Sequence, residues 1–304
     1  MRPSHILIAG LMVGGVFYSA PAAQQSAHGV RHAFLATGAK TYIVSHTDRV
    51  VWRYPRPTRD GWMLPNGNLL LVLAHGKNYG GGVVEVTRGG RVQFEYRGKQ
   101  KTVNTAQQIA EGRYLIAEGG SKPCVMEVDT KGRTLVKITL QTTAKDPLQQ
   151  IGAARKLANG NYLVPQPADK VVREYNAQGK VVWEKKTDGE PSCAIRLANQ
   201  RTLIACTTGK CILEVDRAGK VTWKLTNQDF QGARMLDLHS GIQRLPNGNL
   251  VFATHRPGRA TAQLVEVNRA KKSVWTYAQP NRPVIRHFQI LNTNGKALGG
   301  TPLR

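Results

Sequence analysis

The phrase Leu-Pro-Asn-Gly-Asn-Leu stands at residues 64–69 and again at 245–250, with Leu-Ala-Asn-Gly-Asn-Tyr at 157–162 between them. Weaker copies begin at Ile109, Leu197 and Leu291, so the leading residues are spaced by 45, 48, 40, 48 and 46. Recurrence at such a period means one supersecondary unit stacked several times, because a single unit cannot bury its own apolar face. Asn-Gly between apolar runs signals a hairpin, read here as a two-residue type I′ turn with positive φ at both central residues.

A second phrase follows each of the first five copies: Val83-Val84-Glu85-Val86, Val125-Met126-Glu127-Val128, Val171-Val172-Arg173-Glu174, Ile212-Leu213-Glu214-Val215 and Leu264-Val265-Glu266-Val267. A polar turn comes next, then a short run ending in an aromatic: Phe94, Trp183, Trp223 and Trp275, with Leu135 near that place in the second unit. Each unit therefore holds four short strands, the pattern of a propeller blade. Residues 42–54 look like the second half of a blade and 285–299 like a first half. Joined, they complete a sixth. The expected fold is all-β, a six-bladed β-propeller of four-stranded blades, its ring closed by N- and C-terminal strands that share one blade and so leave no open sheet edge. Almost no helix is expected.

These phrases, with Asn161-Tyr162-Leu163-Val164-Pro165, Val171-Val172-Arg173-Glu174-Tyr175 and Gly179-Lys180-Val181-Val182-Trp183, resemble a group of secreted bacterial six-bladed propellers of the quinoprotein-like, PQQ-like repeat superfamily. The likeness spans about residues 42 to 291 and implies the fold rather than an activity. Quinone-dependent members carry adjacent cysteines over the cofactor. This chain has no Cys-Cys pair, so no cofactor is expected. More distantly the chain is similar to arylsulfate sulfotransferases, propellers with a histidine nucleophile.

The amino terminus reads as an address. Arg2 precedes the apolar run Ile6 to Phe17, and small residues from Ser19 to Ala23 suit a signal peptidase. Twelve apolar residues fall short of the roughly 20 that span a bilayer. The expected organisation is a signal peptide over 1–23, a flexible lead-in over 24–40 and the propeller over 41–304. Localisation is expected to be secreted or periplasmic, with no membrane span.

In a propeller the first strand of each blade lines the central channel. The residues just before the hairpins then nominate themselves as site residues. Arg59, Asp60, Gln149 and Glu190 are candidate ligand-binding groups. Asp237, His239, Arg286 and His287 are candidate catalytic groups, with the two imidazoles on neighbouring blades at even spacing and so on one side of their strands. His75 in the first blade and His255 with Arg256 in the fifth, at the far ends of the inner hairpins, suit sulfate, phosphate or uronate oxygens. The plainer alternative throughout is a polar, water-filled channel without chemistry. Nothing in the spacing demands a metal.

Charge narrows the partners. The 304 residues carry 43 Lys and Arg against 19 Asp and Glu, a formal +24. Many cations fall in outer turns, where they blunt edge strands, yet the excess is larger than that role needs. An exported chain of this sign is held near anionic polymer, carbohydrate or other cell-envelope components, with a protein as the further candidate partner. Nucleic acid is not an expected partner, since no recognition motif is present. The first functional reading is a binding propeller whose ligand, anionic or carbohydrate, or protein partner sits at the channel mouth. The alternative is a periplasmic enzyme on an anionic substrate, arylsulfate sulfotransferase-like or polysaccharide lyase-like, using the channel histidines.

Four cysteines remain. If Asn199-Gln200 is a two-residue turn, Cys193 lies opposite Cys206 and a disulfide between them is expected, with Cys211 as competitor for Cys206 and Cys124 a buried thiol.

Overall fold

The computed structural model describes residues 23–230, 238–254, 262–279 and 284–304, the side chains of 23 and 238–240 excepted. All but the last residue of the expected signal peptide lies outside them. Six antiparallel sheets form the ring. Blade 1 comprises Thr58–Met63, Leu69–Leu73, Gly82–Val86 and Val92–Arg97; blade 2 comprises Thr102–Ala110, Arg113–Gly119, Cys124–Asp129 and Thr134–Thr139. Blade 3 is Arg155–Lys156, Tyr162–Gln166, Val171–Tyr175 and Val181–Lys186, and blade 4 is Pro191–Arg196, Thr202–Cys206, Cys211–Val215 and Val221–Thr226. Blade 5 is Leu238–Arg244, Leu250–Thr254, Leu264–Val267 and Ser273–Ala278. The first strand of each blade lies on the axis.

Blade 6 closes the ring. Its inner strand, Ile285–Thr293, pairs with His32–Gly38, and Thr41–Val44 and Val50–Tyr54 follow outward. The composite blade is as expected, but its division is not: the N-terminal side supplies three strands, and the C-terminal side the inner strand with a two-residue strand, Lys296–Ala297, on its other edge. Residues 24–40 are therefore not a flexible lead-in. Every residue of His32–Gly38 is buried, and Ala23–Gln25 adds a fifth strand outside blade 5. The run His32 to Gly38 escapes the pattern because both its faces are packed, so no polar alternation marks it.

The hairpins differ from expectation in one respect with consequences. At residues 64–68 the Gly67 N–H donates to Leu64 O at 2.9 Å and the Leu64 N–H to Asn68 O at 2.8 Å, while Gly67 has φ 83° and Asn66 does not have positive φ. This is a three-residue loop, a type I turn followed by a left-handed glycine, in place of type I′. Pro65 sets the φ that the second position of a type I turn needs, and the Asn66 side-chain Oδ1 accepts from the Asn68 N–H at 3.0 Å.

The same loop at 197–201 moves the register of blade 4 by one residue. Cys193 consequently faces Ala205, and Cys206 faces Pro191 on one side and Cys211 on the other. A slip of one reverses the face of every side chain. Cys193 packs between blades 4 and 5 whereas Cys206 packs between blades 3 and 4, so the expected Cys193–Cys206 disulfide is excluded. All four cysteines are free and buried.

The core is six wedges rather than one centre, each filled from two neighbouring blades. Between blades 1 and 2, for example, Trp62, Leu70, Val72 and Phe94 meet Tyr114, Ile116 and Met126. Outer-strand tryptophans fasten blade 6 to 1, 3 to 4 and 4 to 5: Trp52, Trp183 and Trp223 donate their indole N–H to the carbonyls of Arg88, Arg217 and Arg269 at 2.8–3.0 Å. Helix among the described residues is confined to Pro147–Gln150 and a 3₁₀ turn at Asn227–Phe230. No helix among them is long and apolar enough to cross a membrane.

Candidate functional site

On the axis, blade 1 places Asp60 in complete burial. Its Oδ1 accepts from the Gly61 N–H at 2.9 Å and from Arg304 at 2.6 Å; its Oδ2 accepts from Thr105 at 2.7 Å and Arg155 at 3.2 Å. Burial alone would raise the carboxyl pKa, but Arg155 and Arg304, helped by His287 and Thr105, hold it well below the usual carboxylate range. Both guanidiniums also lie over the Trp62 ring, at 4.9 Å for Arg155 and 4.2 Å for Arg304. Arg304 reaches this place because residues 301–304 turn into the channel from the hairpin-tip side. The Arg244 N–H donates to Leu303 O at 2.9 Å, and Arg155 Nε to Arg304 O at 2.8 Å.

His287 faces the same carboxylate, its Nδ1 3.9 Å from Asp60 Oδ1. Burial pushes its pKa down to about 3, Asp60 opposing and Arg304 and Arg155 adding to the effect. The imidazole is neutral at pH 7 and too weak a base for proton abstraction there.

Beside the tail opens a cavity of about 510 Å³ at the tips of blades 3 and 4, lined among others by Trp62, Gln107, Lys156, Arg196 and Leu303. No Asp or Glu lines it. The carboxylates stand one layer behind, and they are the glutamates of the second repeated phrase. Glu127 receives Lys156 Nζ at 2.6 Å, Tyr162 and Arg113; Glu174 receives Arg196 at 2.7 Å and Arg217 at 2.5 Å; Glu214 receives Arg201 at 3.1 Å, Arg244 at 3.3 Å and Arg269 at 2.5 Å. Lys156, Arg196 and Arg244 occupy one place, the end of the inner strand, and each reaches back to the glutamate of the preceding blade. With Asp60, four buried carboxylates meet nine cations. Burial raises the pKa of each of the three glutamates, and the hydrogen bonds and cations overcome it, so all three lie below the ordinary value. The side chains of Arg113, Arg201, Arg217 and Arg269 remain between 41% and 49% exposed. Their surplus charge faces solvent.

The residues nominated from sequence separate into groups. Asp60 and His287 come together on the axis. Arg59 and Arg286 sit at the opposite mouth, where burial and then repulsion from Arg286 lower the Arg59 pKa to about 10; Arg59 is half-buried and Arg286 exposed. Gln149 is half-buried in the short helix, Glu190 is half-buried ahead of blade 4, and His75 is exposed on a loop. Asp237, His255, Arg256 and the side chain of His239 lie outside the described residues. Sequence reasoning missed Trp62, Thr105, Arg155 and Arg304, none of which sits in a repeated phrase. It also missed the cations on the glutamates, whose signal was a basic residue preceding the leading leucine in blades 3, 4 and 5. No group of His, Cys, Asp or Glu that could hold a metal occurs among the described residues.

A family model described as outer membrane protein assembly factor BamB (PQQ_2) matches residues 108–297. No curated protein matches the chain. Among solved structures, a protein of unknown function from Bacteroides caccae is similar over 90% of this chain and 99% of its own, with 23% identity and a TM-score of 0.75. A streptogramin B lyase matches over 86% of this chain and 88% of its own at 10% identity and TM-score 0.57. A catalytically inactive virginiamycin B lyase from Staphylococcus aureus, solved with quinupristin, matches over 84% and 99% at 9% identity and TM-score 0.55. At such identities these neighbours share the fold alone.

Proposed function

From a chain that belongs to the family described as outer membrane protein assembly factor BamB, we infer an exported, non-catalytic binding propeller that holds an acidic cell-envelope polymer against the hairpin tips of blades 2 to 5. The observation that carries this reading is the mismatch of charge in the latches: each buried glutamate there is met by two or three cations. A carboxylate needs one. The second and third cations are held in fixed positions by hydrogen bonds and left facing water, which lowers the entropy lost when an anion arrives. Arg supports the reading further, since its planar fork suits carboxylate and sulfate oxygens.

Among the described axial groups, two features favour binding over catalysis. Asp60 is already shared between two guanidiniums, and His287 is neutral with a pKa too low for a base.

Binding of polygalacturonate tests the proposal. Affinity is expected to fall steeply as salt rises from low to physiological strength, because exposed charges are screened. Removing either Arg217 or Arg269 as alanine is expected to weaken binding about threefold. Binding that ignores both salt and these substitutions refutes the site; binding of an acidic protein with the same salt profile, and none of the polymer, moves the partner to a protein surface.

A further inference from the structure

The axial site around Asp60 is filled by a piece of the chain itself. Residues 301–304 run as an extended segment that adds one antiparallel bridge to the inner strand of blade 5, Leu303 opposite Arg244. Beyond that bridge Arg304 enters the channel. Its guanidinium donates to Asp60 Oδ1 at 2.6 Å and to the Gly61 carbonyl, and its flat face lies 4.2 Å from the centre of the Trp62 ring. Only 1% of the Arg304 side chain is exposed, against 0% for Asp60. Carboxylate, carbonyl and aromatic face thus surround the Arg304 guanidinium, the carboxylate and the ring being shared with Arg155, which closes the segment by donating to the main-chain oxygen of Arg304 at 2.8 Å. By contrast Leu303 is 39% exposed and makes its link through the main chain.

This division is that of peptide recognition by strand addition: main-chain bonds hold an extended segment, and one pocket reads one side chain. We propose that the axial pocket is a recognition site for an extended peptide bearing an arginine, with the protein's own residues 301–304 as its intramolecular occupant. The chemical class follows from the pocket. A guanidinium has the planar fork to serve Asp60 and the Gly61 carbonyl together while stacking on Trp62, whereas an ammonium is a point charge that must give up part of that arrangement. The occupant also governs access, since a tethered segment competes at high effective concentration with any peptide in solution. The proposal stands apart from the polyanion reading. It concerns a cationic ligand on the axis, and either can fail alone.

The test uses the full chain with Arg304→Ala and the peptides acetyl-Thr-Pro-Leu-Arg, acetyl-Thr-Pro-Leu-Lys and acetyl-Thr-Pro-Leu-Ala, with heat of binding as the readout. The variant is expected to bind the arginine peptide saturably and at least about tenfold more tightly than the alanine peptide, with lysine between them. The unsubstituted chain is expected to bind the arginine peptide at least about tenfold more weakly than the variant does. A variant that melts cooperatively and binds all three peptides equally, or none, overturns the proposal. Should Arg304→Ala not melt cooperatively, Arg304→Lys keeps a cation on Asp60 and is expected to bind the arginine peptide more tightly than the unsubstituted chain. Failure of that variant to bind it, with a cooperative melt, overturns the proposal equally.

Discussion

The two halves of the ring solve one packing problem with different chemistry. Between blades 1 and 2, Glu85 accepts from the Tyr114 hydroxyl at 2.7 Å, and between blades 5 and 6 Glu266 meets the His32 imidazole at 2.8 Å. Between blades 2 and 3, 3 and 4, and 4 and 5, the same position in the repeat is met by arginines and a lysine. Both kinds of latch leave a glutamate buried at the wedge, and each of Glu85, Glu174 and Glu266 also accepts from an asparagine of its own hairpin at 2.7 Å. The local hairpin needs the carboxylate; the partner from the next blade is free to vary. Where that partner is an aromatic group the latch is structural and nothing more. Where it is a set of cations, the latch doubles as a charged surface. A structural position repeated around a ring can thus carry surplus positive charge on one side without changing the fold.

The sharpest way to break the comparison is to open the seam, which belongs to the aromatic half. Deleting residues 285–304 removes the inner strand of blade 6 and leaves His32–Gly38 unpaired on that side; the expected outcome is loss of the cooperative melting transition. A truncated chain with an unchanged melt would falsify the closure. Next in size is Glu214→Ala, which strands three arginines around a vacated buried position and is expected to cost about 3–5 kcal/mol in denaturant titration. Glu85→Gln, in the aromatic half, keeps a hydrogen-bonding partner for Tyr114 and is expected to cost about 1 kcal/mol. If the two substitutions cost the same, the distinction between latches has no energetic content.

Acid sharpens the comparison further. Glu127, Glu174 and Glu214 have folded pKa values below their unfolded ones, so the stability they contribute is present above the unfolded value near 4.5 and is lost as pH falls through the folded ones. His287 acts earlier. Its folded pKa of about 3 lies below the unfolded value of 6.5, so the unfolded chain takes up the proton first, and stability declines as pH drops from about 6.5 toward 3. Converting that gap gives a loss of up to about 4 kcal/mol across the window. His287→Gln is expected to flatten the loss between pH 6.5 and 4.5 while leaving the steeper fall below it. The smallest expected effect is chemical: all four cysteines should titrate as free thiols in denaturant without reductant, where the sequence reading of a Cys193–Cys206 bridge would leave two.

The fold was legible because turns are punctuated by residues with few alternatives. Asn-Gly and Gly-Lys pairs at a regular period announce blades whatever else varies. Two features that mattered were less legible for identifiable reasons. The glutamate in Val83-Val84-Glu85-Val86 reads as a polar residue in a strand, yet the strand is buried along its whole length, because a propeller packs both faces of every blade. Alternation cannot reveal a buried carboxylate in such a strand. Asn-Gly suits either turn type and only a residue such as Pro65 separates them; in blade 4, where Ala198 stands in the proline's place, the extra loop residue moves Cys206 by one. At the site, Asp60 and His287 could be nominated from their place on inner strands, but Arg304 could not, since the path of a segment outside the repeat is set by the channel it finds and not by a pattern of its own.

The seam imposes an order in time as well as in space. Thr37 and His287 are 250 residues apart in the chain yet share a hydrogen bond, Thr37 Oγ1 donating to the His287 carbonyl at 2.9 Å. At ribosomal speeds of roughly 5–20 residues per second, the N-terminal strands wait about 12–50 s for the partner that completes their blade. During that interval one edge of His32–Gly38 stays open, a template of the kind that seeds aggregation, and contacts of such long sequence separation form slowly even when the whole chain is present. Vectorial synthesis therefore cannot finish this ring blade by blade: blade 6 is complete only once Ile285–Thr293 stands beside His32–Gly38.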